Sequence, residues 1–264
     1  MLTIVVCVKQ VFDPEAPLSL FQLCPEGKKL IPPPGTPPVL SSFDENALEA
    51  ALYIKDVQAA KVIVVSMGYK LAKPVLKKTL AAGADELILL EDEQFEGLDS
   101  YSTAHVLARA IERIGNWDII LCGRQAADTD AGQVGAGIAE ILQIPGITLA
   151  RKVEIEGEKV RVERLLADGY EVVETARPVL ITASNEIGAL RFPNVKALMA
   201  AQKMGVTVWD AAELGLTTAV TKQTNLLKLF VPERNTNCQM ISGENPEETA
   251  EKLTAILAIK VGGN

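Results

Sequence analysis

The chain reads as an α/β protein built on a doubly wound, mostly parallel sheet, with a small antiparallel meander and a C-terminal extension. Three observations predict this. Strand-like and helix-like segments alternate through the first half. The strand-like segments are almost wholly apolar, as in strands covered on both faces. One of them, Trp117–Leu121, ends abruptly in a Gly-rich polar loop that opens a helix.

Leu2–Val8 is a near-continuous apolar run and reads as the first buried strand. The stretch Pro25–Pro38 is rich in Pro and Gly and reads as an extended surface loop. Asp44–Asp56 places Ala47, Leu48, Ala51, Leu52 and, just beyond, Val57 at helical spacing. Lys61–Ser66 is a second strand, and Lys70–Ala82 a helix with Leu71, Val75 and Leu80 on one side. Glu86–Leu90 is a third strand, Ser100–Ile114 a long amphipathic helix, Trp117–Leu121 a fourth strand and Gly137–Leu142 a short helix. This order implies a Rossmann-like parallel sheet with right-handed crossovers. Three β runs follow, Arg151–Glu156, Val160–Leu166 and Glu171–Thr175, separated by Gly157 and by Asp168-Gly169. Both separators are hairpin signals. Pro178–Ala183 is a further short strand.

Residues 1–190 therefore form the α/β domain, and 191–264 form an arm without a repeated βα unit. The arm contains a helix at Asn194–Met204, a short helix at Asp210–Leu214, a lone strand at Leu226–Val231 and a helix at Pro246–Leu257. Its apolar positions predict cover from a neighbouring subunit, with packing back on its own domain as the alternative.

Composition narrows the function classes. Over 264 residues, 48% hydrophobic and 23% charged content fits a globular chain with a sizeable core. A formal charge of −8 argues against a nucleic-acid partner. No apolar run reaches the roughly 20 residues that span a bilayer. The N-terminus reads as a strand rather than a signal peptide, so membrane insertion is not expected and the cytoplasm is the expected compartment. The four cysteines, Cys7, Cys24, Cys122 and Cys238, show no C-x-x-C spacing, and His105 is the single histidine. No metal site is expected from that set. His105 falls in a helical pattern and reads as a packing or surface residue.

The loop after the fourth strand carries the chemistry. Gly132, Gly135 and Gly137 would let a phosphate approach the backbone, and the following helix offers orphan N–H groups to an anion. Asp128, Thr129, Asp130 and Gln133 supply carboxylate, hydroxyl and amide groups. The loop matches neither G-x-G-x-x-G nor a P-loop. A helix N-cap at Asp128 or Asp130, with no ligand, fits the local chemistry equally well. Strand ends at Cys7-Val8-Lys9-Gln10, Ser66-Met67-Gly68 and Cys122-Gly123-Arg124-Gln125, with the helix start Ser41-Ser42-Phe43-Asp44, should converge on the same sheet edge. That convergence favours a nucleotide cleft. No catalytic triad, acid–base carboxylate pair or other catalytic residue is evident, so redox chemistry there would belong to a bound cofactor.

The chain resembles the electron transfer flavoprotein β subunit over nearly its whole length. The resemblance is carried by Val8-Lys9-Gln10-Val11, Phe43-Asp44-Glu45-Asn46-Ala47-Leu48-Glu49, Ala81-Ala82-Gly83-Ala84-Asp85, Cys122-Gly123-Arg124-Gln125-Ala126 through Gln133-Val134-Gly135, Asp168-Gly169-Tyr170-Glu171, and Leu190-Arg191-Phe192-Pro193 leading into Leu198-Met199. It implies a heterodimer with an FAD-bearing α subunit, on which the arm packs, and electron exchange with a flavin dehydrogenase or reductase. It implies a nucleotide pocket on Cys7, Val8, Ser41, Phe43, Asp44, Ser66, Met67, Gly68, Gly123, Asp128, Thr129, Asp130, Gly132, Gln133, Val134 and Gly135. It also implies a docking loop at Asn185–Leu190, with Ile187 as an exposed apolar anchor and Leu190 beside it. In the electron-bifurcating branch, favoured by Phe43-Asp44-Glu45-Asn46, the pocket holds a redox-active FAD. NADH is then the electron donor and a low-potential carrier such as ferredoxin one acceptor. In the respiratory branch the pocket holds structural AMP. Two departures stand out: Asp128-Thr129-Asp130-Ala131-Gly132 replaces the commoner Asp-Gly-Asp-Thr-Ala, and Gly188-Ala189-Leu190-Arg191-Phe192 replaces a docking loop that often contains Asn-Glu-Pro-Arg-Tyr. A nucleotide-binding module of the universal-stress type is a third reading; the long tail and docking loop argue against it.

Overall fold

The structure, a computed structural model, describes residues 1–216, 220–231 and 238–261. The chain divides into two units, Met1–Lys228 and Leu229–Asn264.

The first unit runs β1 (Leu2–Cys7), β2 (Gln10–Val11), β3 (Gln22–Leu23), β4 (Leu30–Ile31), β5 (Val39–Leu40), α1 (Ser42–Val57), β6 (Ala60–Gly68), α2 (Lys73–Leu76), α3 (Lys78–Ala82), β7 (Glu86–Glu91), α4 (Ser100–Ile114), β8 (Ile119–Gly123), α5 (Val134–Ile141), β9 (Gly146–Glu156), β10 (Lys159–Leu166), β11 (Gly169–Ala176), β12 (Val179–Ala183), α6 (Val195–Lys203) and β13 (Thr207–Trp209). The main sheet has nine strands in the order β11-β10-β9-β12-β8-β1-β6-β7-β13. Every neighbouring pair from β9 to β13 is parallel, whereas β10 pairs antiparallel with both β9 and β11. The doubly wound sheet with its meander is the fold the sequence predicts.

Alternation along β1 sets the two layers. Ile4 and Val6 point to the face covered by α1, α2, α3 and α6, where Leu48, Leu52, Leu76 and Leu80 are buried. Val5 and Cys7 point to the face covered by α4 and α5, where Val106, Leu107, Ile111 and Ile138 are buried. The chain passes from β1 outward through β6 and β7, then returns to lay β8 on the other side of β1. This reversal makes the β1/β8 boundary the switch point of the sheet.

Five local features differ from the sequence reading. The Lys70–Ala82 helix starts only at Lys73, where Lys70 at φ +56° precedes it and Pro74 suits the first turn, and it is two short helices that meet at Lys77. β9 begins five residues before Arg151, and its first half pairs in parallel with β12. The turn at Asp210–Leu214 is not a helix, while Thr207–Trp209, unforeseen, adds a strand against β7. Leu226–Val231 is not a strand: among the described residues no neighbour offers its backbone a ladder of hydrogen bonds.

The second unit contains α7 (Pro246–Val261). Its start is fixed reciprocally: the Asn245 side chain accepts the Glu248 N–H at 2.9 Å, and the Glu248 carboxylate accepts the Glu244 N–H at 2.7 Å.

Candidate functional site

A cavity of about 720 Å³ opens at the carboxyl ends of the parallel strands, over the switch point. Its floor is Cys7, Val8 and Lys9 after β1, with Cys122, Gly123 and Arg124 at the end of β8. Met67 and Gly68 of β6 form one side, and Thr129, Gly132, Gln133, Val134 and Gly135 the other. The sequence reading thus places most of its pocket residues on one cavity.

Asp44 holds the floor together. It sits in the first turn of α1, buried, with one carboxylate oxygen accepting the Lys9 N–H at 2.8 Å and the other the Gly123 N–H at 3.0 Å. One side chain therefore pins both strands of the switch point. Burial pushes its pKa up to about 7, against the opposing pull of the Lys9 and Gly123 N–H groups, the Ser41 hydroxyl and the Lys9 charge.

The remaining predicted residues stand behind the wall. The buried Ser41 hydroxyl accepts the Ala127 N–H at 3.3 Å and so fastens the loop to α1. Phe43 carries the Arg124 guanidinium 4.7 Å above its ring. Asp128 pairs with the Lys9 ammonium at 2.7 Å across the loop. Asp130, at φ +51°, accepts from the Gln125 amide at 2.6 Å. Ser66 is fully buried at the end of β6, and its hydroxyl has no partner among the described residues.

The glycines need a correction. The sequence reading assigned Gly132, Gly135 and Gly137 to close approach of a phosphate. A Cβ at Gly135 would lie 2.7 Å from the Thr182 methyl, and one at Gly137 would lie 2.9 Å from the Ala104 Cβ. A Cβ at Gly123 would meet Asp44 Oδ1 at 2.4 Å. These three let α5 and α1 pack closely on β12, α4 and β8. Gly132 has φ +64° in the open loop and is the one that shapes the mouth.

α5 starts without a side-chain cap, and its first residues line the cavity. By contrast, α4 is capped by Asp99 and α6 by Asn194. An uncapped N-terminus facing a cavity presents N–H donors and a positive dipole end to an anion. Among the described residues, no cluster of His, Cys, Asp and Glu could hold a metal. Cys7 and Cys122 lie side by side in register. The Cys122 thiol is pushed well above its usual range, first by its hydrogen bond with Cys7 and then by burial, so it stays protonated. His105 hydrogen-bonds the Tyr101 hydroxyl at 3.1 Å.

The sequence reading missed the far wall. Phe95, Leu98, Asp99, Tyr101, Thr103 and Leu107 also line the cavity, with Phe12 and Tyr69. A signal existed: the loop after β7 leaves the same sheet edge as those after β1, β6 and β8. Thr224, which also lines the cavity, had no such signal.

The docking loop differs from expectation. Ile187 is buried at 9% exposure against α1, because the 3₁₀ turn Asn185–Ile187 directs it inward. It is not the exposed anchor the sequence predicted. Leu190 is half-buried against the same core. The Asn46 amide donates to the Gly188 carbonyl. Arg191 is bolted to α1: its guanidinium spans Glu49 and Asp56, each at 2.8 Å, and its own N–H donates to Glu49 at 2.8 Å. The next residue, Phe192, is 99% exposed.

Fold and site together define a doubly wound α/β protein with a ligand cavity at its switch point. The family model "Electron transfer flavoprotein domain" matches residues 35–214. The chain is 45% identical over 214 residues to an electron transfer flavoprotein subunit beta from Thermoanaerobacterium thermosaccharolyticum, covering 81% of this chain and 80% of that one. It is 39% identical to the subunit beta of Megasphaera elsdenii, covering 96% and 98%, and 37% identical to the caffeyl-CoA reductase-Etf complex subunit CarD of Acetobacterium woodii, covering 97% and 98%. The chain belongs to the electron transfer flavoprotein family, as a β subunit, and its role is electron transfer. The family binds flavin or nucleotide, and two features here fit such a group: the uncapped start of α5 and the cavity that it lines. No helix among the described residues is long and apolar enough to cross a membrane.

Proposed function

We propose that this chain pairs with an electron transfer flavoprotein α subunit in the cytoplasm and holds FAD in the cavity over the β1/β8 switch point. The observation that carries this reading is the extent of the cavity. It runs from the uncapped start of α5 to an apolar and aromatic wall of Phe95, Leu98, Tyr101 and Leu107. The α5 end suits the phosphates. Phe95, Leu98, Tyr101 and Leu107 offer apolar and aromatic surface to a flat ring system. Residues Cys7, Val8, Met67, Gly68, Gly123, Thr129, Gly132, Gln133, Val134 and Gly135 would line the nucleotide. Ser41, Phe43, Asp44, Ser66, Asp128 and Asp130 would shape the loops around it. The chemistry such a flavin supplies is hydride acceptance from NADH and one-electron release to two acceptors, the α-subunit flavin and a low-potential carrier such as ferredoxin. The protein would contribute position; Asp44, held by two backbone donors, fixes the floor.

Two relatives, the CarD subunit and an acryloyl-CoA reductase electron transfer subunit gamma from Anaerotignum propionicum, are named for acyl-CoA-type reductases. A reductase of that class is the partner proposed here. It would dock on the loop that Arg191 fixes, with Phe192 as the apolar anchor. The arm, rich in exposed apolar residues such as Phe230, Val231 and Met240, would pack on the α subunit.

The test is the cofactor content of the purified αβ complex. Two FAD per pair and no AMP support the bifurcating reading. One FAD and one AMP overturn it in favour of a structural nucleotide.

A further inference from the structure

The segment Val220–Lys228 is tied to the start of α4 by an unusual concentration of hydrogen bonds for an exposed stretch. The Asp99 carboxylate accepts the Gln223 N–H at 2.6 Å, the Thr224 N–H at 2.7 Å and the Thr224 hydroxyl at 3.3 Å. The same carboxylate caps α4 through the Ser102 N–H at 2.9 Å. The Ser102 hydroxyl donates to the Thr221 carbonyl at 3.0 Å, and the Lys222 ammonium to the Glu96 carbonyl at 3.4 Å. Val220 packs into the α4/α5 side of the core. This is a strap, and Thr224 is its point of contact with the cavity.

Asp99 itself lines a cavity suited to a phosphate-bearing ligand, where a free carboxylate would repel it. Asp99 stays ionised, and its oxygens are taken up by donors of the strap and of α4 rather than left free. Burial raises its pKa, but the accepted bonds from Ser102, Thr224 and Gln223 outweigh that and hold the group far below the usual carboxylate range. Asp99 is therefore committed to the strap and the helix cap.

We propose that the strap is a working part of the nucleotide site: Thr224 contacts the bound nucleotide, and Asp99, by fastening the strap to α4, sets how fast that nucleotide leaves. This rests on the nucleotide reading above. The strap leads directly into the second unit at Leu229. The site therefore gains a ligand-positioning residue distant in sequence from every glycine-rich motif.

The experiment is nucleotide release from the αβ complex, followed by chasing bound FAD or AMP with an excess of the same compound. Thr224→Pro removes both Thr224 donors from Asp99 and leaves the Ser102 cap intact. It is expected to release nucleotide about tenfold faster, equivalent to about 1.4 kcal/mol. Thr224→Val, which loses only the hydroxyl, keeps the backbone tie and is expected to release about threefold faster. Thr224→Ser, with both donors, restores slow release. Asp99→Asn matches Thr224→Pro. Bound nucleotide should also slow trypsin cleavage after Lys222 and Lys228 in the wild type and fail to do so in Thr224→Pro. Wild-type release rates in both Thr224→Pro and Thr224→Val overturn the strap and leave the nucleotide reading standing. A wild-type complex that retains no nucleotide overturns both.

Discussion

Two loops leave neighbouring strands of the same sheet edge and do opposite things. The 124–133 loop follows β8 and borders an open cavity; the 184–192 loop follows β12 and is fastened against α1. The first is held by separate, partly exposed polar contacts: Ser41 on Ala127 and Lys9 on Asp128 from distant parts of the chain, and Gln125 on Asp130 within the loop. The second is held by a buried carboxylate, Glu49 at 2% exposure, whose partner Arg191 comes from 142 residues away. The loop bordering the cavity is held at scattered points and leaves the helix start behind it uncapped. The 184–192 loop is anchored by a paired charge, with the exposed Phe192 just beyond the anchor.

The largest expected effect breaks the first loop at its root. In Gly123→Ala the new Cβ would sit 2.4 Å from Asp44 Oδ1 and 2.7 Å from the Phe43 carbonyl carbon, so α1 must move off β8. A loss of about 3 kcal/mol in urea unfolding is expected. An unchanged midpoint would show that the floor is soft and that Asp44 does not pin it.

The second loop is tested by a pair. Ile187→Asp places a charge in the core and should destabilise by roughly 3 kcal/mol. Phe192→Asp alters a residue 99% exposed, so stability should stay within about 0.5 kcal/mol. In steady-state assays with the partner reductase, Phe192→Asp should raise the KM for the complex at least tenfold while flavin content holds. The reverse pattern would return the anchor to Ile187.

The smallest effect sharpens the contrast through pH. Asp44 has a folded pKa raised to about 7 from an ordinary value of 3.8, so the folded state binds more protons between those values. Its contribution to stability is present in full at low pH and is lost as pH rises through 7, with a slope of at most about 1.4 kcal/mol per pH unit. Asp44→Asn should flatten that part of the stability–pH curve measured by thermal melts of nucleotide-free protein. Equal slopes for the two proteins would place the charge of Asp44 in a wetter site than its burial implies.

Much of the fold was legible because its signals are local. Leu2–Cys7 is apolar at every other position and more, Ser100–Ile114 repeats at helical spacing, and Gly157 and Asp168-Gly169 mark the hairpins of the meander. Short or unaccompanied segments misled: Thr207–Trp209 is a strand because β7 lies beside it, and Leu226–Val231 is not one because no described strand pairs with it.

The sequence by itself determined most of the order of elements, the doubly wound class and the sheet edge on which the cavity-lining residues gather. Periodicity and turn chemistry act over a few residues, and a parallel βα alternation leaves few topologies open. Tertiary structure alone decided which glycines serve packing rather than ligand approach and that Ile187 turns inward while Phe192 turns out. It also decided that Asp99 ties Thr224 to the cavity. Each of those depends on what stands a few ångströms away, and those neighbours lie from tens to more than a hundred residues distant along the chain.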